Sequence, residues 1–501
     1  MKNSLGVAGM LRSSLFRWGL TMAAVLLVVA PVASGCGSPV TSDESSASTT
    51  AGAAESGTVG EGFFGTSAVH EIAVTLSQDD YDAAMAAYTE SGDKEWIKAI
   101  VTIDGETYEN VGLRLKGNSS IMGLKEGGRG FTGDMGRGSQ DEPQALPWLI
   151  DLDKFVDRQN HEGIVELAVR SNVTETALNE AVSLALLAQA GIASQEAAYV
   201  RFSVNDSRPS LRLVIENPDD RWMAKNFSIK GALYKAESTG DYSYRGEEPE
   251  SYDEVFDQEA GKTNADLVPL IQFLDFINNS DDATFEAELP ERLDVEAFAT
   301  YLAVQELIGN TDDIDGMGNN SYLYYDTEVE RFTVVAWDHN LAFGMMGGAG
   351  MMGGAGGLGN QDWGGATGPD TRGFDGELPD GMQLPDGMPE DAQPPEGMEP
   401  EGMEPPTAGQ FPGGGQTRGN APRGMGGKSN ILVERFMANP EWAQLYEDRL
   451  AELTTELYES GKAADILDGL VAILKAHAAD LVDPSTVDEE ASAISTYFAT
   501  E

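Results

Sequence analysis

The stretch Gly309-Asn310-Thr311-Asp312-Asp313-Ile314-Asp315-Gly316-Met317-Gly318-Asn319-Asn320 runs into the β-patterned Ser321–Tyr325. A second such run, Arg331–Ala336, delivers Trp337-Asp338-His339-Asn340. Carboxylates therefore stand at both ends of a two-stranded unit: Asp312, Asp313 and Asp315, with Asn320, on the loop before it, and Asp338 directly after it. This is an economical way to bring hard oxygen donors together, and such donors suit Mg²⁺, Mn²⁺ or Ca²⁺.

The order acidic residue, Asn, hairpin, Asp is also the order in protein kinases, where a catalytic Asp precedes a metal-binding Asn and a second metal-binding Asp follows. It points to phosphoryl transfer. Just upstream, Val295–Ile308 carries Phe298, Tyr301, Leu302, Gln305, Leu307 and Ile308 at helical spacing, so a helix aims at the loop. Leu267–Phe276 and Ala283–Glu288 read as helices too, and from Asp253 onward the pattern is helical.

Nearer the N-terminus the pattern is extended. Val69–Leu76 alternates as a strand, Ser77-Gln78-Asp79-Asp80 opens a short helix through Tyr88, and Trp96–Ile103 and Glu106–Leu115 flank Asp104-Gly105, a tight hairpin turn. That hairpin ends in Arg114-Leu115-Lys116-Gly117-Asn118-Ser119-Ser120, where two cations, a glycine and small hydroxyl residues form a candidate phosphate cradle. Gly123–Gln144 is a Gly-rich candidate flap. Pro147–Phe155 and Glu166–Val169 return to strand character. A helix follows from Asn172 to Ala190, capped by Thr174, carrying Glu180 and closed by Gly191. Tyr199–Val204 and Leu211–Ile215 make a further hairpin ending at Glu216, and Ile229–Ala236 contains Leu233-Tyr234-Lys235.

With 501 residues and 41% hydrophobic content, the chain can bury a sizeable core. Asp+Glu of 83 against Lys+Arg of 32 gives a net charge of −51, which repels phosphate backbones and argues against nucleic acid as a partner. Lys2, Arg12 and Arg17 precede an apolar run, Leu20 to Val32, followed by Ala33-Ser34-Gly35-Cys36. This reads as a secretory signal with a bacterial lipobox, its Cys36 lipidated. Cys36 is the single cysteine of the chain, so an intramolecular disulfide is excluded. The expected location is extracytoplasmic, anchored to the bacterial cell membrane. The expected layout is a signal peptide over 1–36, a tether over 37–62, a main domain over 63–344, a Gly/Met/Pro-rich disordered insertion over 345–427 and packed helices over 428–501. The insertion repeats Pro-Asp-Gly-Met at Pro379 and Pro385 and Pro-Glu-Gly-Met at Pro395 and Pro400.

Five motifs in order, Gly112 to Ser120, Leu233-Tyr234-Lys235, Gly309-Asn310-Thr311-Asp312, Asn320 to Tyr324 and Trp337-Asp338 through Gly344, resemble the CotH family of spore-coat-protein-H-like atypical kinases. The resemblance implies an α+β, two-lobed, diverged protein-kinase-like fold with a sheet-rich N-terminal lobe and a helical C-terminal lobe. It also implies ATP, a divalent metal (Mg²⁺ or Mn²⁺, with Ca²⁺ as an option) and phosphorylation of Ser or Thr on a protein substrate at the cell surface. Carried over by residue, it makes Asn320 and Asp338 metal ligands, and Asp312 or Asp315 the catalytic base. Arg114 and Lys116 become phosphate contacts, Glu180 the partner of a nucleotide-binding lysine, and Glu216 a neighbour of the adenine. Trp148-Leu149-Ile150-Asp151 offers no lysine where a kinase strand would, so Lys116 or Lys235 is expected to substitute.

Three rival readings stand beside this one. An EF-hand alignment of the acidic loop puts Thr311 first and Tyr322 last, where Asp and Glu are wanted. A serine hydrolase would use His339 beside Asp338, yet no Gly-x-Ser-x-Gly accompanies them. A catalytically inactive kinase-like scaffold would explain the missing strand lysine but not three groups that are costly to desolvate without a cation.

Overall fold

Asp104 and Gly105 both take positive φ, 48° and 88°, the pair of angles a type I′ turn demands. Around them β2 (Ile97–Ile103) and β3 (Glu106–Leu115) pair antiparallel, as the sequence predicts. The computed structural model describes residues 62–65, 68–124, 139–227, 230–237, 240–315, 320–344 and 430–499. The expected signal peptide with Cys36, almost all of the expected tether, the centre of the candidate flap and the expected insertion lie outside the described residues.

The hairpin is part of a closed seven-stranded barrel. Its other strands are β1 (His70–Leu76), β4 (Trp148–Asp151), β5 (Glu166–Val169), β6 (Ala197–Val204) and β7 (Ser210–Glu216), in the order β1-β2-β3-β4-β5-β7-β6. Closure comes from β1 and β6, which pair parallel with Ile72 opposite Phe202. Alternate residues fill the interior: Ile72, Val101, Leu113, Trp148, Leu167 and Phe202 are almost wholly buried there. Helix α1 (Gln78–Ser91) begins after Ser77 and covers one side of the barrel through Tyr81, Ala84, Met85 and Tyr88.

Helix α2 (Leu178–Gln189) starts later than its sequence suggests. Thr174 Oγ1 does accept the Ala177 N–H at 3.0 Å, but Ala177 itself sits at φ 52° and holds off the first helical turn. The helix is buried on nearly every side because the barrel lies against one face and C-terminal helices against another.

The second sheet changes the expected layout. Strand β8 (Gly231–Ala236), which carries the Leu-Tyr-Lys motif, leaves the N-terminal strands and pairs with β10 (Ser321–Asp326) in a four-stranded sheet ordered β11-β10-β8-β9, with β11 at Arg331–Ala336. Strand β9 (Phe256–Ala260) corrects the reading that everything after Asp253 is helical. Its sequence, Phe-Asp-Gln-Glu-Ala, lacks alternation because it is an edge strand anchored only by Phe256 and Ala260. Helix α3 (Asp220–Asn226), also missed, is capped by Asp219, whose carboxylate accepts the Arg221 and Trp222 N–H groups.

Behind this sheet pack α4 (Val268–Asn279), α5 (Asp282–Arg292) and α6 (Val295–Leu307), with α7 (Ile431–Ala438), α8 (Pro440–Leu453), a π-helical turn at Thr454–Glu459, α9 (Lys462–His477) and α10 (Pro484–Ser495). The architecture is α+β, sheet-rich toward the N-terminus and helical toward the C-terminus. Helix α8 packs on α6, and α9 packs on α2. One continuous apolar core joins the outer face of β5 and β7, α2, the second sheet and these helices. Among the described residues no helix is long and apolar enough to cross a membrane.

Candidate active site

Arg170, one residue past β5, is held between two carboxylates. Its Nε lies 2.9 and 3.1 Å from the two oxygens of Glu180 on α2, and its Nη2 donates to Asp338 Oδ1. Arg170 exposes 11% of its side chain and Glu180 2%, so the charges meet where an unpaired one would be costly. Burial works against the guanidinium, but Asp338 and then Glu180 raise its pKa. Burial pushes the Glu180 carboxyl up, while Arg170 and the His339 N–H pull it back. This corrects the expected lysine pairing: the partner of Glu180 is an arginine, because Lys116 and Lys235 are committed to Asn217 and Glu237. The sequence offered no spacing signature for this pairing, because the burial of Glu180 beside Arg170 appears only once α2 is placed.

Asp338 stands two residues past the end of β11, after Trp337, at φ 60°, a left-handed conformation that Asp tolerates better than most residues. Since Ser321 pairs with Ala336, Asn320 and Asp338 flank the same open end of the β10–β11 hairpin. The Asp338 turn is tied to α2 a second time, by Asn179 Nδ2 donating to the Asn340 carbonyl.

Arg114 near the end of β3 and Lys116 just beyond it are two apart in an extended run, which places them side by side. Lys116 Nζ donates to Asn217 Oδ1 at 2.8 Å and lies 5.4 Å from the Trp337 ring, which joins the barrel face to the Asp338 turn. Burial, then the neighbouring Lys235 ammonium, lowers Lys116 to about 7, with Glu259 and Glu166 opposing. Arg114 Nε is buried without a hydrogen-bond partner, and its guanidinium rests 4.8 Å from the Trp96 ring. Lys235 Nζ is 2.5 Å from Glu237 Oε1. Asn217 Nδ2 in turn donates to Glu166 at 2.5 Å, and Glu166 faces Asp151 across the β4–β5 ladder. Burial, then Glu166, raises Asp151 to about 7, so the cations lie beside a carboxylate pair that resists full ionisation. Gly117 has φ 98°, and a Cβ there would meet Ser120 Oγ at 2.4 Å, so the turn after Lys116 requires glycine.

In the acidic loop, Asp312 Oδ2 accepts from Asn320 Nδ2 at 2.9 Å, bringing a candidate base and a candidate metal ligand into contact. Asp315 serves the fold: its Oδ1 accepts the Asn430 N–H at 3.0 Å, at the start of α7. Asp313 is 3% exposed, and burial followed by Asp315 raises it to about 7. His339 is wholly buried, is lowered to about 4 by that burial and faces Gln305 at 3.3 Å, a packing role rather than activation of a serine. Among the described residues no group of three or more His, Cys, Asp or Glu side chains is arranged to hold a metal ion without help.

Glu216 lies apart from these cations, at the end of β7. It borders a cavity of about 310 Å³ together with Phe64, Glu166, Asn217, Trp222 and Lys225. Its carboxylate accepts the Glu196 N–H at 2.8 Å and Lys225 Nζ at 3.1 Å, and burial raises its pKa against the pull of Lys225. The structure thus gathers Arg114, Lys116 and Lys235 near one another, links Glu180 to Asp338 through Arg170, and joins Asp312 to Asn320. Cys36 lies outside the described residues.

The family model described as CotH kinase protein matches residues 113–487 of the chain. Among curated proteins, the inner spore coat protein H of Bacillus subtilis (strain 168) is 24% identical over 196 residues, which is 38% of this chain and 53% of that relative. The chain therefore spans about half the length of the curated relative it matches.

Proposed function

The chain belongs to the CotH kinase protein family, and we propose that it transfers the terminal phosphoryl group of ATP to a Ser or Thr hydroxyl of a protein acceptor. The observation that carries this reading is the Arg170 bridge, which fixes the buried Glu180 of α2 and the Asp338 carboxylate into one unit beside a cationic barrel face. Protein kinases gather a strand cation, its helix glutamate partner and a metal-binding Asp at one site, with lysine as the cation and the Asp kept for the metal. The diverged kinase-like fold is part of the proposal, with a closed barrel as its sheet-rich part.

The donor chemistry fits ATP and a divalent ion. Mg²⁺ keeps several waters and takes one or two carboxylates plus substrate phosphates, so Asp338 and Asn320 suffice without an all-protein cage. Bound ATP and metal supply the phosphoryl group and neutralise the charge that develops on it. Arg114, with its orphaned Nε, and Lys116 would hold the phosphates, and Lys235 stands close enough to reinforce them. A purine would sit in the cavity beside Glu216, Asn217 and Trp222, whose indole offers it an apolar face. Asp312, oriented by Asn320, would accept the proton of the attacking hydroxyl, a role Asp315 fits less well because it holds the start of α7. Arg170 keeps Asp338 and α2 in place. A lipid anchor on Cys36 would present this chemistry outside the cell, where the acceptor is a surface protein.

The test uses labelled ATP with Mg²⁺ or Mn²⁺ and the Asp338→Asn and Asp312→Asn variants. Metal-dependent label on protein, lost in Asp338→Asn and strongly reduced in Asp312→Asn at unchanged melting temperature, supports the reading. Undiminished transfer by Asp338→Asn removes it. A kinase-like scaffold without turnover is the second reading, favoured by the arginine at position 170 and by the existing engagement of Asp338; it predicts nucleotide binding with no transfer.

A further inference from the structure

Cations are scarce in this chain, 32 Lys+Arg against 83 Asp+Glu, so an unpaired one is unusual. Lys98, Arg114 and Lys154 form a strip without a close ion pair among the described residues, Lys154 acting on the Asp151 carboxyl only as a neighbouring charge. Each lies over an aromatic ring instead: Lys98 Nζ is 4.9 Å from the Phe155 centroid, while Lys154 Nζ and the Arg114 guanidinium are 4.3 and 4.8 Å from that of Trp96. Gly112 makes the arrangement possible. A Cβ there would come within 2.6 Å of the Lys154 Cβ and 3.0 Å of Trp96, so only a bare backbone lets both lie flat across β3. Apolar surface continues the strip, with Ile100 42%, Phe155 43% and Val156 36% exposed. At its other end the strip reaches the candidate active site, because Arg114 near the end of β3 neighbours Lys116, the residue just past that strand.

We infer that this strip docks an acidic, aromatic-bearing segment of the acceptor polypeptide and leads it toward Lys116 and the candidate active site. The inference rests on the phosphotransfer reading for calling that partner an acceptor. Charge complementarity selects the partner: unpaired cations on a strongly negative protein attract carboxylates, and exposed Phe155, Val156 and Ile100 offer purchase for a ring. An extended peptide meets only the strip. A flat anionic bilayer would bring many of the surrounding carboxylates within a Debye length of its own charge and be repelled.

The experiment measures fluorescence anisotropy of a labelled Glu/Ser peptide with one central Phe against the full chain, without nucleotide, at low and high salt. Lys98 and Lys154 are exposed and outside the catalytic machinery, so Lys98→Glu/Lys154→Glu is expected to fold with the wild-type melting temperature. It should weaken peptide binding by about tenfold, roughly 1.4 kcal/mol. Trp96→Ala should weaken it as well, and wild-type binding should fall as salt rises. Equal binding of a Lys/Ser counterpart, or unaltered affinity of the double variant, overturns the inference. So does a variant that loses only binding to phosphatidylglycerol vesicles, which would assign the strip to lipid. Because docking is read without ATP, it can stand while phosphotransfer fails, and the reverse outcome is equally visible.

Discussion

Arg170 balances two carboxylates with one guanidinium, and its removal leaves Glu180 charged or protonated in the interior without its counter-ion. Arg170→Met is expected to cost about 3–5 kcal/mol in urea unfolding, and Arg170→Met/Glu180→Met to recover part of that loss. A double variant as unstable as the single one would contradict the pairing. Asp313 makes a pH-dependent prediction. Its carboxyl is raised from 3.8 to about 7, so the folded state holds a proton that the unfolded state releases, and its stabilising contribution is lost as pH rises from about 4 to about 7. Asp313→Asn keeps the acceptor for the Asp315 N–H without the charge; it should raise the melting temperature at pH 8 and change little at pH 4. Lys116, lowered from 10.5 to about 7, is largely neutral at pH 8 until phosphates recharge it. Calorimetry in buffers of different ionisation enthalpy should then show proton uptake on ATP binding, abolished in Lys116→Met. At this scale the sequence singled out Asp312, Asn320, Asp338 and Lys116 as candidates, and the structure brings Asp312 and Asn320 into contact. It missed Arg170, because a lone arginine after a short strand carries no spacing signature until the helix beside it is placed.

Helix α2 is held at its start by another helix. Glu490 on α10 accepts the Glu175 and Thr176 N–H groups at 2.9 and 3.2 Å and the Thr176 hydroxyl as well. A carboxylate there also complements the positive end of the helix. Glu490→Ala is expected to cost about 1–3 kcal/mol, with faster amide exchange concentrated at the start of α2. Exchange that accelerates only in α10 would show that the bond does not restrain α2. Elements with local signals were legible: Asp104-Gly105 dictates its hairpin, and the periodicity of Val295–Leu307 announces α6. Strand β9 was illegible because an edge strand with only two buried residues shows no alternation. Helix α3 was overlooked although Asp219 gave a cap signal, since seven residues are too few to establish a period.

For the molecule as a whole, the closure of the barrel could not be read from the sequence, because the β1–β6 pairing joins strands far apart in the chain and leaves no local trace. The same holds for β8, whose pattern suits either sheet and whose partner, β10, is decided by the core they share. Net charge was legible from composition alone, whereas the unpaired cationic strip needed the fold to bring Lys98, Lys154 and Arg114 together. The most direct test of phosphoryl transfer is mass spectrometry of the purified chain with a generic Ser/Thr-containing acceptor after incubation with ATP and Mg²⁺ or Mn²⁺. The account predicts a phosphate mass added to Ser or Thr, dependent on the metal and absent with Asp338→Asn. Nucleotide that measurably raises the melting temperature while no hydroxyl ever gains phosphate would contradict it.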